Sequence, residues 1–299
     1  MNADRKGVIR AQDKFATSNK LTHKYSIKLL CELADVSRSG YYKWLNKSKK
    51  QIDMDICNKI LEIYNTSKLV YGYRRVKVAL RRKYNMIVNH KKVRRLMRLL
   101  GIQSIIRKKK FKYSTPKNLI QDKSEDNILN RDFSTTGMYQ KWVTDITYLY
   151  YGKSHNRAYL SAIMDLHNNE IISYKLSISL GIEFVRDTLI EAFSGKKAND
   201  LRKLIIHSDQ GVHYRSLIYK NLIKENKITQ SMSRKGNCYD NACIENFFGH
   251  IKSELIYQNH FNTREELFKA VSEYIYWYNN ERFQTVLKNR TPIEARSAA

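Results

Sequence analysis

The sequence lacks what a membrane or secreted protein would carry. No stretch approaches the roughly 18 consecutive apolar residues of a membrane span. The opening MNADRKGVIR has no signal-peptide apolar region. A cytoplasmic protein with no membrane partner is therefore expected. The four cysteines, Cys31, Cys57, Cys238 and Cys243, include no C-x-x-C pair, and His23 is the only histidine near the first two. That argues against both a disulfide framework and a zinc finger. No heptad zipper is present either. Acids are scarce in one place. Residues 1–110 hold 29 Lys and Arg against 7 Asp and Glu, whereas the remainder holds 26 against 21. Most of the net charge of +27 thus sits in the first third, as expected where that part grips a polyanion and the rest is an ordinary folded body. With 299 residues, 42% of them hydrophobic, the chain can bury a core and form two or more domains.

Taken in order, Tyr25 to Leu45 reads as helix, tight turn, helix. Ile27, Leu29, Leu30 and Leu33 form the first apolar face, Asp35-Val36 the turn, and Ser37 an N-cap for the second helix. This is the pattern of a helix-turn-helix, although a plain helical hairpin would show it too. Arg38 and Lys43 of the second helix are candidate DNA contacts. Helices are expected again near 53–66, 73–83 and 90–100, with Asn89 an N-cap and Gly101 a stop. Arg74, Arg75, Lys91, Lys92, Arg94 and Arg95 crowd them with few acids and interleaved tyrosines, so phosphate contact is their expected use.

The expected organisation is a helix-turn-helix over 1–50, a second basic unit over 51–112, a linker over 113–135, an α/β core over 136–258 and a helical tail over 259–299. Within the core, strands are expected over 141–151, 158–166 and 170–179, joined by short links typical of an antiparallel meander. A helix over 181–193, a strand over 204–209, a helix over 214–224 and a strand over 228–233 follow. This order gives an α/β fold with a mixed five-stranded sheet, as in ribonuclease-H-like nucleotidyl transferases. A long aromatic helix after Thr263 is expected to pack on that body.

Three carboxylates stand out. Asp145 lies inside the apolar run Trp142 to Tyr150, where an unpaired charge is costly and wants a partner or a metal. Asp209 ends the run Leu204 to Asp209, which Gln210-Gly211 stops. Glu245 lies on a helix whose other arc holds Cys243, Ile244, Phe247, Phe248, Ile251 and Leu255, and Lys252 falls on the same line as Glu245. A solvated Glu and Lys would look the same on that helix alone. His207 and His213 read more naturally as structural groups than as proton carriers. Asp240 could be a cap or a ligand, and Arg234 and Lys235 are candidate DNA contacts.

Together the motifs Trp142-Val143-Thr144-Asp145-Ile146-Thr147, His207-Ser208-Asp209-Gln210-Gly211 and Gly236 to Ala242 leading into Glu245-Asn246-Phe247-Phe248 resemble the integrase-like transposases of bacterial insertion sequences, most closely the second-frame catalytic product of insertion-sequence family three, relatives of retroviral integrases. Asp209 and Glu245 have 35 residues between them, the spacing of that family, and Lys252 stands where it carries a basic residue. Val70 to Arg75 and Val88 to Met97 resemble its second helix-turn-helix, and Tyr278-Asn279-Asn280-Glu281-Arg282 its tail. Leu287 is followed by Lys288 where a glycine is common.

The resemblance implies a ribonuclease-H-like core and metal-dependent cleavage and strand transfer at DNA ends. Asp145, Asp209 and Glu245 would hold two Mg²⁺ ions, with Mn²⁺ able to substitute, and Lys252 would meet DNA beside the scissile bond. It also implies transposon ends and target DNA as partners, a homo-oligomer on DNA, an upstream-frame product as a further partner, and a location on the bacterial nucleoid. A DNA-binding regulator with a silent integrase-like domain, or a nuclease acting on RNA in hybrids, are the alternatives.

Overall fold

The computed structural model describes residues 10–48, 54–107, 125–234 and 238–297. The chain divides into two compact units, residues 1–58 and 59–299. In the first, helices α1 (Ala11–Leu21), α2 (Ile27–Leu33) and α3 (Arg38–Ser48) pack around Phe15, Tyr41 and Trp44, with the Phe15 ring 6.3 Å from Tyr41 and 6.0 Å from Trp44. The tight turn forms as expected. Asp35 takes the left-handed conformation at φ 51°, and the Ser37 hydroxyl caps α3 by accepting from Gly40 N at 3.0 Å. Helix α1 was not anticipated, because it buries only Ser18 and carries no apolar stripe beyond Phe15.

The remaining helices of the basic third are α4 (Met54–Thr66), α5 (Tyr73–Tyr84) and α6 (His90–Leu99). The Asn89 side chain caps α6 by accepting from Lys91 N at 2.8 Å, and Gly101 follows it at φ 68°. Val76, Ala79 and Leu80 of α5 meet Val93, Leu96 and Met97 of α6 inside the unit.

Residues 59–299 are built on one mixed sheet of β1 (Lys141–Tyr151), β2 (Asn156–Asp165), β3 (Glu170–Ser177), β4 (Ile205–Ser208) and β5 (Thr229–Met232), in the order β3-β2-β1-β4-β5. β1, β2 and β3 form the antiparallel meander, and β4 and β5 add to β1 in parallel. Helix α7 (Ile182–Phe193), the short α8 (Ala198–Leu201) and α9 (Val212–Arg215), and α10 (Leu217–Glu225) supply one side. There Phe184, Val185, Leu189, Tyr214, Tyr219 and Ile223 close over Trp142, Ile163 and Ile206. The helix expected over 214–224 is broken in two, because Ser216 is extended (ψ 150°) and turns its hydroxyl to cap α10 at Tyr219 N.

After one tight turn over Cys238–Asn241, helix α11 (Ala242–Glu254) lays Ile244, Phe247, Phe248 and Ile251 inward. Helix α12 (Arg264–Asn280), capped by Thr263, seals that layer with its Tyr278 ring 4.9 Å from Phe247, and a short α13 (Pro292–Arg296) ends the described chain. Asn279 clamps the outer edge of β3 by accepting from Ile171 N at 3.0 Å and donating to Ile171 O at 2.9 Å. An exposed sheet edge is thereby covered. In the stretch expected to be a linker, residues 113–124 lie outside the described residues. From Glu125 the backbone runs beside β5, with Met232 N donating to Asp126 O at 3.2 Å and Leu129 buried.

The turn without its glycine closes by placing Lys288 and Asn289 in the left-handed region, at φ 55° and 62°. That conformation costs lysine about 1 kcal/mol, and the added freedom of glycine in the unfolded chain takes back about half of any relief. Lys288→Gly is therefore expected to raise stability by roughly 0.5 kcal/mol. Lys288→Ala, which keeps a Cβ, is expected to give no gain in the same thermal melt.

Candidate active site

β4 pairs with β1 only over Lys141–Val143, with Val143 beside His207. Asp145 and Asp209 each lie two residues further on, Asp145 inside β1 and Asp209 just past the carboxyl end of β4, on neighbouring parallel strands. Among the described residues no strand pairs with that edge of β1 beyond Val143, and the Asn241 side chain donates to Thr144 O there at 3.1 Å. This bond seats the start of α11 against β1. Glu245 then occupies the first turn of α11, a favoured place for an acid, and Lys252 the last.

The electrostatics follow from this placement. The Asp145 carboxyl is pushed up to about 7, first by its burial and then by the negative charge of Asp209, with Glu245 adding to both. A hydrogen bond from Ile146 N to Asp145 Oδ1 at 2.8 Å and the positive charge of Lys252 work the other way. Asp209, which is exposed, turns Oδ1 onto Gly211 N at 2.8 Å. A Cβ on Gly211 would come within 2.8 Å of that oxygen, so a larger residue there would displace the Asp209 carboxylate. Among the described residues no three His, Cys, Asp or Glu side chains stand close enough together to hold one ion as they are. Two of the three carboxylates accept from their own backbone instead. The donor set nonetheless suits a hard divalent cation, because carboxylate oxygens are its preferred ligands and the mutual repulsion felt at Asp145 is what such a cation relieves.

His207 is buried between the Ser231 and Ser233 hydroxyls, at 2.9 and 3.0 Å, and its burial pulls the ring down to about 4. It is a neutral strut between β4 and β5. His213 lies against Leu180 O at 2.9 Å. Asp240 does not cap α11, whose N-cap position is Asn241. It is fully buried and bound by Arg234 at 3.0 Å, Arg131 at 2.8 Å and Asn127 at 2.9 Å, and the Arg234 guanidinium holds its carboxyl well below the usual carboxylate range.

The basic residues separate by face. Arg234, expected to contact DNA, is engaged with Asp240, and Lys235 lies outside the described residues. Arg74 and Arg94 are exposed, their guanidinium carbons 5.6 and 5.9 Å from the centre of the Tyr73 ring. Lys91 and Arg95 are exposed, Lys92 is half-buried, and Arg38 and Lys43 are exposed on α3 of the first unit. Arg75 departs from the expectation. It lies half-buried over the Tyr71 ring, 5.8 Å from its centre, where burial and the nearby Arg282 pull its pKa down. One residue along a helix turns the side chain by about 100°, which is why Arg74 faces solvent and Arg75 does not.

Several supporting groups have no local signal in the sequence. Asp165, wholly buried, accepts from Trp142 Nε1 and Tyr139 N, both at 2.9 Å, and from His167 N at 2.8 Å, and so fixes the base of β1. Tyr71 joins the basic helices to the tail, donating to Glu281 O and accepting from Phe283 N, both at 2.8 Å. Asn241 could have been found only by knowing that β4 stops short.

A family model described as an HTH-like domain matches residues 51–110, and two described as integrase core domains match residues 135–238 and 245–298. The putative transposase InsK for insertion sequence element IS150 of Escherichia coli (strain K12) is 42% identical over 280 residues, covering 93% of this chain and 96% of its own. The transposase InsF for insertion sequence IS3A of the same organism is 32% identical over 267 residues, covering 88% and 90%. Among solved structures, the HTLV-2 integrase catalytic core domain in complex with magnesium aligns with 54% of this chain and 98% of its own, at 14% identity and a TM-score of 0.41. With identity to the two bacterial proteins sustained along nearly the whole of each, the chain belongs to the integrase-core transposases of bacterial insertion sequences, the group of IS3 and IS150, and is a DNA transposase.

Proposed function

We propose that Asp145, Asp209 and Glu245 are the carboxylates of a metal-dependent site that cleaves the 3′ ends of an insertion sequence and transfers them to target DNA. The observation that supports this is the crowded Asp145 carboxyl, driven up to about 7 by burial and by two other acids from separate elements. Structural acids in this fold are treated differently. Asp165 and Asp240 are each surrounded by donors, whereas Asp145 faces charge of its own sign. Divalent cations held by the three acids would supply an activated oxygen and stabilise the leaving one. Asp145, fixed in the middle of a strand, would be the rigid member of the set. Glu245 would be positioned by the seating of α11 through Asn241. Lys252 contributes positive charge for the phosphate. Because two ends must be joined, more than one copy is expected to assemble on the DNA.

The test is a supercoiled plasmid bearing the ends of the element, incubated with the protein and Mg²⁺ or Mn²⁺. Cleavage and joining are expected for the parent, with a loss of roughly a thousandfold or more in Asp145→Asn, Asp209→Asn or Glu245→Gln, since each removes several kcal/mol of charge stabilisation. Specific binding of the ends with no cleavage by the parent under either metal would instead indicate a DNA-binding regulator.

A further inference from the structure

The outer half of β1 carries an aromatic surface for which the folded chain has no use. Ile146, Tyr148 and Tyr150 share one face of the strand. Ile146 sinks against the apolar cluster, but Tyr148 and Tyr150 remain 54% and 39% exposed. Their rings meet edge to face with centres 5.7 Å apart, and His155 adds a third ring 6.3 Å from Tyr150. Across the ladder, Tyr159 stands opposite Tyr148, and Arg157, exposed, stands opposite Tyr150. The Lys252 ammonium lies 4.7 Å from the centre of the Tyr148 ring, and its charge also acts on Asp145.

An occupant of this surface must present a flat apolar face, carry negative charge beside it, and lie next to whatever the acids hold. A protein surface with an aromatic ring beside an acid meets the first two demands but not the third. An unpaired DNA base attached to its phosphate meets all three, since bases stack on tyrosine whatever their identity and cations pair with the backbone. Three residues of strand, about 10 Å, separate Tyr148 from Asp145 and leave them on opposite faces of β1, so Lys252, which reaches the Tyr148 ring and acts on Asp145, is the link between the surface and the acids.

Resting on the function proposed above, we propose that Tyr148 and Tyr150, with Lys252 beside them, form a stacking platform for an unpaired base of the DNA end. The platform would hold the end open and in line with the acids.

The experiment uses the full chain without divalent cation and two probes of one sequence: a blunt duplex, and the same duplex with a single-stranded 3′ tail of about five nucleotides containing 2-aminopurine. The parent is expected to prefer the tailed probe and to quench its fluorescence. Tyr148→Ala is expected to weaken binding of the tailed probe about tenfold, to relieve the quenching, and to leave the blunt probe within about twofold. Tyr148→Phe keeps the ring and is expected to match the parent, which separates a lost ring from a lost fold. An equal loss on both probes would overturn the proposal, because Tyr148 would then act only by steadying Lys252 on the backbone. No change on either probe in the alanine variant would overturn it too. Neither readout requires cleavage. A tail preference lost in Tyr148→Ala, alongside a parent that never cleaves, would sink the catalytic assignment and leave the platform standing. Cleavage by the parent with no tail preference at all would do the reverse.

Discussion

Asp145→Asn is expected to abolish DNA cleavage while making the metal-free protein more stable at pH 8 than its parent. The two effects have one cause. In the unfolded chain this carboxyl titrates near 3.8, and in the folded chain it is pushed up to about 7 by burial and by Asp209 and Glu245. A carboxyl raised on folding binds more protons in the native state than in the unfolded state, so stability falls as pH rises between those two values. Below about pH 4 the penalty is absent, and above about pH 7 it is fully present. Its upper limit is roughly 4 kcal/mol, from about three pH units at about 1.4 kcal/mol each, and water reaching the partly open carboxyl reduces it. Asparagine removes the charge, and its carbonyl can still accept from Ile146 N as Asp145 Oδ1 does now at 2.8 Å. Chemical denaturation at pH 5 and pH 8 is the measurement. The variant should gain on its parent by at least about 1 kcal/mol more at pH 8 than at pH 5. Millimolar Mg²⁺ should stabilise the parent at pH 8 and leave the variant nearly unmoved, since binding to the native state alone is stabilising. Equal pH profiles for the two proteins would show that Asp145 is not under the repulsion described.

What could be read from sequence alone follows from the range of each interaction. Ser37, Asn89 and Asp35 act within three residues, so caps and turns were visible from residue type and position. The sheet order was visible because short links require a meander and helical crossovers add parallel strands. Asp145 was conspicuous because a carboxylate in an apolar strand has no ordinary explanation. Asp165 and Asp240 looked no different from surface acids, and their partners show why. Asp240 is held by Arg131, 109 residues away in the chain, and Asp165 by Trp142, 23 residues away. Arg75 and Arg234 illustrate the same limit from the basic side. Composition marks them as phosphate contacts, and only the packing of Tyr71 and Asp240 reveals where their charge is directed. The tail motif is legible through resemblance, and its physical basis lies in tertiary contacts. Tyr278, Asn279, Glu281 and Arg282 are each engaged with a different neighbour, Phe247, β3, Tyr71 and Glu254 respectively.

Within that motif, Arg282→Ala is expected to destabilise residues 59–299 by about 3–5 kcal/mol, a fall of roughly 10 °C in the melting temperature. The Arg282 and Glu254 side chains are only 3% and 6% exposed, and they meet through two hydrogen bonds, Nη2 to Oε1 at 2.7 Å and Nε to Oε2 at 3.2 Å. Tyr274 donates to Glu254 Oε2 at 2.6 Å, and His250 Nδ1 lies 3.2 Å from Oε1. Burial alone would raise the Glu254 carboxyl, but His250 and Arg282 together hold it down to about 2. Removing the guanidinium leaves that carboxylate without its main counterion in a site water cannot easily reach, which is the costly way to break such a pair. Replacing both partners with uncharged groups of similar size removes the problem rather than exposing it. The double variant Glu254→Gln with Arg282→Met should therefore recover most of the loss. Because the folded carboxyl lies below its unfolded value of 4.5, the stability it contributes is complete above about pH 5 and is lost as pH falls toward 2. That acid-side loss should shrink in the double variant. Glu254 closes the same helix whose first turn bears Glu245, and Arg282 follows the helix that covers it, so the single variant should also lose DNA cleavage through displacement of α11. If the double variant were no more stable than Arg282→Ala, neither the stranded charge nor the arginine stem, which Met replaces, would account for the loss, and it would lie in the guanidinium's own contact with the Tyr278 ring, whose centre is 5.6 Å from the guanidinium carbon.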